Sequence, residues 1–408
     1  MRLGKQWFEV GLYESAAEAL ERAVKLDPEH VAVELHEVLG DTYRKLRNYE
    51  KALEAYKRAL GLRPESAELF GKLGALYSVF GRKLESIEAY KQVLHFAPTG
   101  ATALEAQENL AYLYKKQGRF ADAAKAYEEV LRARPDDANP RFYLGEIYLE
   151  LGDISSALEH YKKLKDLKSN YADDLYLRIY QRAVRQNPDD SDAHFNLGNA
   201  HYWAKRYAEA IDPYKQAVRL KPDLELAYAR LGYSYAKLDQ HEPAIEAYEA
   251  AIRLKPQEPI NRVGAGLMYF YVGKKAQAIA HLNEAIRLKP DLAAAHNNLG
   301  LVLRSTGANR KAIVSLKEAI RLDPDDELAP YNLGVAYQNL GEYKEAVEAY
   351  KKAVILKPQY IDALFQLGSA YFRMGDRVAA LKAYDALKVW DGRRADELYS
   401  LIRNPIPR

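Results

Sequence analysis

Residues 327–360 read ELAPYNLGVAYQNLGEYKEAVEAYKKAVILKPQY, and the fold follows from how often that pattern returns. Glycine stands at its eighth position (Gly334), tyrosine at its eleventh and twenty-fourth (Tyr337, Tyr350), alanine at its twentieth (Ala346) and proline at its thirty-second (Pro358). The closing proline recurs at 28, 64, 98, 135, 188, 222, 256, 290, 324 and 358, mostly 34 residues apart. A fixed period in this range marks stacked units, each of which buries its apolar face only against its neighbours.

Working outward, the eighth position is glycine from Gly4 to Gly368 with Ala111 the one exception. The twentieth is alanine from Ala16 to Ala380 with Ser86 the exception, and half of the 32 tyrosines fall at the eleventh and twenty-fourth positions. Each choice has a packing reason. Small residues let two helix axes approach to about 8 Å, the near end of the usual range. Tyrosine fills the space beside them while its hydroxyl stays near water. Proline lacks the N–H and biases the residue before it away from the helical region, so the second helix stops.

The pattern resembles the tetratricopeptide repeat (TPR) family, whose unit is two antiparallel helices. The resemblance implies an all-α, right-handed α-solenoid superhelix of about eleven helix pairs. Units begin near residues 1, 33, 67, 104, 138, 191, 225, 259, 293, 327 and 361. The first lacks its opening four positions, so Met1 falls partway along a helix pattern. The extra residues at Val31–Ala32 and Gly100–Thr102 read as loop insertions, which cost little in closure entropy.

Between Pro135 and Pro188 the spacing is 53, one repeat plus 19 residues. The stretch 157–179, ALEHYKKLKDLKSNYADDLYLRI, matches the stretch 380–402, ALKAYDALKVWDGRRADELYSLI, at ten of 23 places. Shared residues include Leu164/Leu387, Ala172/Ala395, Leu175/Leu398, Tyr176/Tyr399 and Ile179/Ile402. Ser169 and Gly392 stand where the closing proline would be. Both segments therefore read as the polar end helix that a solenoid needs, and the expected organisation is a first array over 1–170, a junction helix over 171–190, a second array over 191–394 and a capping helix and tail over 395–408. In one version 171–186 caps the first array; in the other, the favoured one, it also leads into the second. Either predicts a change in superhelix direction near 170–190. Pro213, in the middle of a second helix, is expected to kink it.

The bulk chemistry excludes several functions. With 60 basic and 57 acidic residues the net charge is +3, which gives no electrostatic case for nucleic acid. There is no cysteine, hence neither a disulfide nor a thiolate zinc site. No apolar run approaches the roughly 20 residues that span a bilayer, and MRLGKQWFEV lacks a signal-like apolar core. The expectation is a cytoplasmic protein without cofactor or membrane insertion; a periplasmic or secreted chain stays open, because Met1 falls inside a helix pattern as if a preceding segment had been removed.

Catalytic motifs are missing: the glycines are spent on repeat positions, and His194 and His201, two turns apart on one helix, occupy packing positions. His281 and His296 also fall at repeat positions, and Glu/Lys mixtures such as GEYKEAVEAYKKAV read as solvated helix faces. The expectation is no enzyme. The resemblance implies that first helices line a concave surface, with positions 2, 5, 9, 12 and 13 pointing inward. In the first array these give Glu34, Glu37, Asp41, Arg44, Lys45, then Glu68, then Glu105, Glu108, Tyr112, Lys115, Lys116, then Asn139, Phe142, Glu146 and Glu150. That stripe suits a basic partner, or equally reflects helix-dipole preference alone.

In the second array the same positions turn aromatic and aliphatic, a surface that marks interaction. The expected partner-binding residues are Phe195, Tyr202, Trp203, Tyr233, Lys237, Phe270 and Tyr271, with Asn196, Asn199, Arg230, Asn298 and Asn332 reaching backbone or carboxylate groups. Of the family's five-residue carboxylate clamp only Asn196 and Arg230 match. Asn298 and Asn332 match the asparagine ladder in the TPR half of O-linked N-acetylglucosamine transferases, whose catalytic domain has no counterpart here. The reading is a non-catalytic scaffold or adaptor that holds a peptide segment of a partner protein in the second array's groove. The alternative is an assembly protein whose apolar concave face is buried in a homodimer or larger complex, and a third option is the interaction module of a separately encoded enzyme.

Overall fold

The structure, a computed structural model, describes residues 2–26 and 32–403. The expectations attached to Met1, Pro28, Val31 and the tail after Arg403 lie outside the described residues. Among these residues the secondary structure is 24 helices and no strand. The chain divides into two compact units, Met1–Gln186 and Asn187–Arg408.

The first unit comprises α1 (Arg2–Glu9), α2 (Tyr13–Leu26), α3 (Val33–Lys45), α4 (Tyr49–Leu62), α5 (Ala67–Val79) and α6 (Lys83–Phe96). It continues with α7 (Ala101–Lys116), α8 (Phe120–Ala133), α9 (Ala138–Glu150), α10 (Ile154–Asp166) and α11 (Tyr171–Gln186). The second begins with α12 (Ser191–Trp203), α13 (Tyr207–Leu220), α14 (Glu225–Lys237), α15 (His241–Leu254), α16 (Pro259–Tyr271) and α17 (Lys275–Leu288). There follow α18 (Ala293–Ser305), α19 (Asn309–Leu322), α20 (Leu328–Asn339), α21 (Tyr343–Leu356), α22 (Ile361–Arg373), α23 (Arg377–Lys388) and α24 (Gly392–Arg403).

Local chemistry sets these boundaries. Lys357, ahead of Pro358, is extended (φ −137°, ψ 90°), and α21 stops there. Inside each pair a left-handed residue reverses the chain: Gly341 (φ 74°) after α20, and Lys205 (φ 58°) or Asp239 (φ 55°) where no glycine is present. The Asp190 carboxylate caps α12 by accepting from the backbone N–H of Asp192 (2.9 Å) and Ala193 (3.0 Å). Pro213 sits inside α13, which runs unbroken from Tyr207 to Leu220.

Within a pair the glycine–tyrosine contact is tight. A Cβ on Gly334 would lie 2.5 Å from Cε1 of the fully buried Tyr350, and one on Gly198 equally close to Tyr214. The two units end differently from this. At Gly145 and Gly368 the space is filled not by the tyrosine of the same pair but by Leu175 of α11 and Leu398 of α24, whose Cδ2 atoms would lie 2.6 and 2.5 Å from an added Cβ. The displaced Tyr161 packs instead on Tyr176 (centroids 4.8 Å), as Tyr384 does on Tyr399 (5.2 Å). Leu164 and Leu387 are fully buried beside them. The recurrence of 157–179 at 380–402 thus corresponds to one capping arrangement built twice, α11 on α9 and α10, α24 on α22 and α23. Without a proline at 169, Lys168 adopts φ 52°, and the Ser169 N–H returns to the Leu164 carbonyl (3.0 Å) as the chain turns into α11.

The histidines serve this packing. His194 and His296 donate from Nε2 to the carbonyls of Pro188 (2.9 Å) and Pro290 (2.8 Å), tying the first helix to the preceding turn. Arg262 does the same to Pro256 (3.2 Å). His281 stacks on Tyr269 (5.1 Å) and pairs with Glu249 (3.1 Å), and His160 stacks on Tyr148 (5.5 Å), whose hydroxyl donates to Glu128. Burial, helped by the Arg141 guanidinium and opposed by Glu128, pushes the His160 imidazole down to about 4. A histidine pKa depressed on folding means that the unfolded chain takes up protons first, so stability is full above about pH 6.5 and drains away as the pH falls toward 4. Between pH 7 and 5 the wild type is expected to lose about 1–2 kcal/mol more than His160→Phe in urea unfolding. Equal losses would remove His160 from the acid response.

Candidate partner-binding face

The inward side of the second unit is identifiable from its contacts. First helices of successive pairs touch directly, α12 to α14, α14 to α16, α16 to α18, α18 to α20 and α20 to α22, whereas second helices make no comparable contact. The stack therefore curves toward the first helices, whose positions 2, 5, 9, 12 and 13, together with position 6 of the asparagine ladder, are those that the family resemblance places inward.

At the start of this face Arg230 is enclosed by aromatic rings. Its guanidinium lies 5.7 Å from the Phe195 ring, 5.2 Å from Tyr202 and 5.5 Å from Trp203, and Nη1 donates to Asn199 Oδ1 at 2.6 Å. Tyr214, rising from the core of α13, donates to the same oxygen at 3.0 Å. Asn199, only 3% exposed, gives its own Nδ2 to Asn196 Oδ1 (3.3 Å), while Asn196 Nδ2 donates back to the Asp192 carbonyl (2.9 Å). Tyr202 and Tyr233 pack together (5.4 Å), both touching Tyr207, and Lys237 lies over the Tyr233 ring (5.2 Å). Burial raises the Tyr202 phenol above its usual range.

Farther along, Tyr271 stacks on His241 (5.0 Å) and abuts Phe270 (5.5 Å). Asn332, 8% exposed, donates to Asn297 Oδ1 (3.1 Å), and Asn297 donates to Asp326 (3.3 Å), whose carboxyl is raised by burial. Asn298 remains half-buried.

The twelve residues expected from the sequence thus separate physically. Phe195, Tyr202, Tyr233 and Phe270 are half-buried against the core of the unit. Trp203 and Tyr271 keep 50% and 54% of their surface exposed, with Leu226 and Ile260 comparably open on neighbouring helices. Asn199 and Asn332 correct the expectation: their amides are buried and bonded within the chain, so they brace the face rather than extend from it. One feature was not singled out in the sequence. Gly264 replaces the polar residue of its neighbours at position 6, and an added Cβ would lie 2.5 Å from Cζ of Tyr248, so the hydroxyl end of that ring rests against the inward side of α16. Glycine at a position otherwise held by Asn, Arg or Gln was the available signal.

Among the described residues no group of three His, Cys, Asp or Glu side chains gathers as metal ligands, and no helix is long and apolar enough to cross a membrane. Comparison with known families agrees with the repeat geometry. Residues 167–388, more than half of the chain, match the family described as Cilia and flagella-associated protein 70 C-terminal domain, a TPR family; residues 109–172, 40–78 and 8–30 match TPR profiles. The chain belongs to the tetratricopeptide repeat family. No curated protein sequence matches it. Similar solved structures include the APC/C hetero-tetramer Cut9–Hcn1, at 15% identity over 98% of this chain and 95% of that one (TM-score 0.49). Others are yeast Tom70, at 15% over 98% and 93% (0.42), and YrrB, described as a TPR protein with an unusual peptide-binding site, at 23% over 45% and 95% (0.39). TPR chains generally act as non-catalytic protein-interaction scaffolds.

The first unit of this TPR chain has a different inward face. Lys72 pairs with Asp41 (2.9 Å), Glu37 (3.1 Å) and Glu68 (3.5 Å), and Tyr56 donates to Asp41 (2.6 Å). Burial alone would depress the Lys72 ammonium, but the bonds to Asp41 and Glu37 outweigh it and its pKa is raised. Glu34 pairs with Arg63 (3.2 Å), Glu108 with Arg134, and Glu146 with Lys115 and Arg178. Most of the acidic stripe is thus paired within the unit by bases of neighbouring elements, and the exposed Glu105 is not among the paired carboxylates.

Proposed function

We propose that this TPR protein is a scaffold or adaptor whose second unit holds an extended or helical segment of another protein along its concave face. The observation that supports this most is the exposure of Trp203 and Tyr271 beside Leu226 and Ile260, large apolar side chains at inward positions of α12, α14 and α16. A stripe of that kind is what an interaction surface presents, and a few aromatic anchors dominate such binding. Tyr271 rests on His241 and Phe270 and Trp203 on the Arg230 guanidinium, contacts that reduce the side-chain entropy lost when a partner docks. Asn196, Arg230, Lys237 and Asn298 supply the polar contacts that fix its orientation.

The test compares wild type with Trp203→Ala/Tyr271→Ala, shown by circular dichroism to stay helical, in affinity capture from the source cell's lysate. A protein kept by wild type and lost by the variant is the expected result. Equal capture by both sinks the reading. A wild-type dimer that persists at low concentration in light scattering, and that the variant dissociates, would instead assign the face to contact between two copies.

A further inference from the structure

We propose that the segment received by this face is acidic, with aspartate or glutamate interleaved with aromatic or aliphatic residues; the inference rests on the groove reading above. It comes from a contrast between the two units. In the first, the half-buried inward cations meet carboxylates, Lys72 with Asp41 and Glu37 and Lys115 with Glu146, while the exposed Lys45 and Lys116 do not. In the second, Arg230, Lys237 and Arg304 stand at inward positions of α14 and α18, and none forms an ion pair with a described carboxylate, although pairs such as Lys255–Glu225 and Lys357–Glu327 occur elsewhere in the unit. The inward positions from Leu226 to Asn339 hold no aspartate or glutamate. Glu225 and Asp326, next to this stretch, are already engaged by Asn261 (2.6 Å) and Asn297 (3.3 Å).

Two of the cations already rest on neighbours, Arg230 on three rings and Asn199 and Lys237 over Tyr233, while the Arg304 Nε is buried without a protein acceptor. A carboxylate arriving there gains charge-assisted hydrogen bonds from preorganised donors and breaks no existing ion pair. Between the cations the face is apolar, with Ile260, Phe270 and Tyr271 on α16, so the occupant alternates acids with apolar side chains. A nucleic acid fits less well. Three cations among apolar groups, in a chain of net charge +3, do not make the continuous basic track that a phosphate backbone demands.

The test pans a phage-displayed random dodecapeptide library on the full chain, then measures synthetic copies of the recovered peptides by fluorescence anisotropy. Expected are peptides enriched in Asp and Glu beside aromatic or aliphatic residues, released by Trp203→Ala/Tyr271→Ala. Their affinity should weaken about tenfold or more in Lys237→Gln/Arg304→Gln and fall with added salt. The single variant Lys237→Gln, at an exposed site, should show a smaller loss in the same direction. Peptides that need Trp203 and Tyr271 but carry no excess of acid overturn this inference and leave the groove reading standing. Peptides indifferent to Trp203 and Tyr271, or none recovered, overturn both. Oligodeoxythymidine binding as tightly as the best peptide overturns the choice of a protein segment.

Discussion

Leu398→Ala is expected to cost about 3 kcal/mol, within the usual range for a buried leucine, and to do so locally, in the last three described helices of the second unit. Leu398 is fully buried, and its Cδ2 occupies the space that Gly368 leaves open on α22. Alanine cannot reach that space, and Tyr384, which would fill it in an ordinary pair, is engaged with Tyr399. A cavity therefore remains. Because stability in a solenoid spreads mainly through nearest-neighbour interfaces, hydrogen exchange should quicken in α22–α24 well before α12–α15. Leu175→Ala should repeat the effect at α9–α11, since Leu175 stands against Gly145 in the same way. Val389→Ala, at a side chain 75% exposed, should change stability by no more than about 0.5 kcal/mol. A uniform rise in exchange along the whole chain would contradict this picture of local closure.

Gly334→Ala and Gly71→Ala are expected to move stability in opposite directions. Both glycines lie inside helices, where alanine is intrinsically better by about 1 kcal/mol. At Gly71 the new methyl would meet only Val93 Cγ2, at 3.8 Å, so that gain should appear nearly in full. At Gly334 it would lie 2.5 Å from the ring of the fully buried Tyr350. Overpacking of this kind costs about 1–3 kcal/mol, which exceeds the propensity gain, and the net effect should be a loss of about 1–2 kcal/mol. Urea unfolding of the two variants decides it. A stabilised Gly334→Ala would mean that the pair can open to admit a side chain, and the account of the eighth position would be wrong.

The fold was legible because the repeat writes its packing into single positions. Gly334, Ala346, Tyr350 and Pro358 each state a local requirement, and their period sums those requirements into a solenoid. The end helices were legible for the same reason: Leu175 and Leu398 must both fill a glycine's space, so their surroundings resemble each other. The inward face was legible only in outline. Position numbers show which way Asn199 and Asn332 point, but not that Tyr214 and Arg230 reach the first, or that the second donates to Asn297 one helix pair away. Those contacts depend on the stagger between neighbouring pairs, which no single repeat encodes. The charge balance of the first unit was hidden in the same way, since Lys72 lies 31 residues from Asp41 and 35 from Glu37. Gly264 carried a signal, a missing side chain among polar ones, that becomes intelligible once the Tyr248 ring is seen against it.

The central claim is that a partner segment lies along the inward side of the second unit, and photo-crosslinking tests it most directly. Tyr271→p-benzoylphenylalanine places the reporter on the inward face, and Ile355→p-benzoylphenylalanine places it on α21, a second helix, at a side chain 77% exposed. Irradiation in the source lysate is predicted to join a captured protein to position 271 and to leave position 355 unmodified. Crosslinking from 355 with none from 271 would put the partner on the opposite side of the unit and contradict the account.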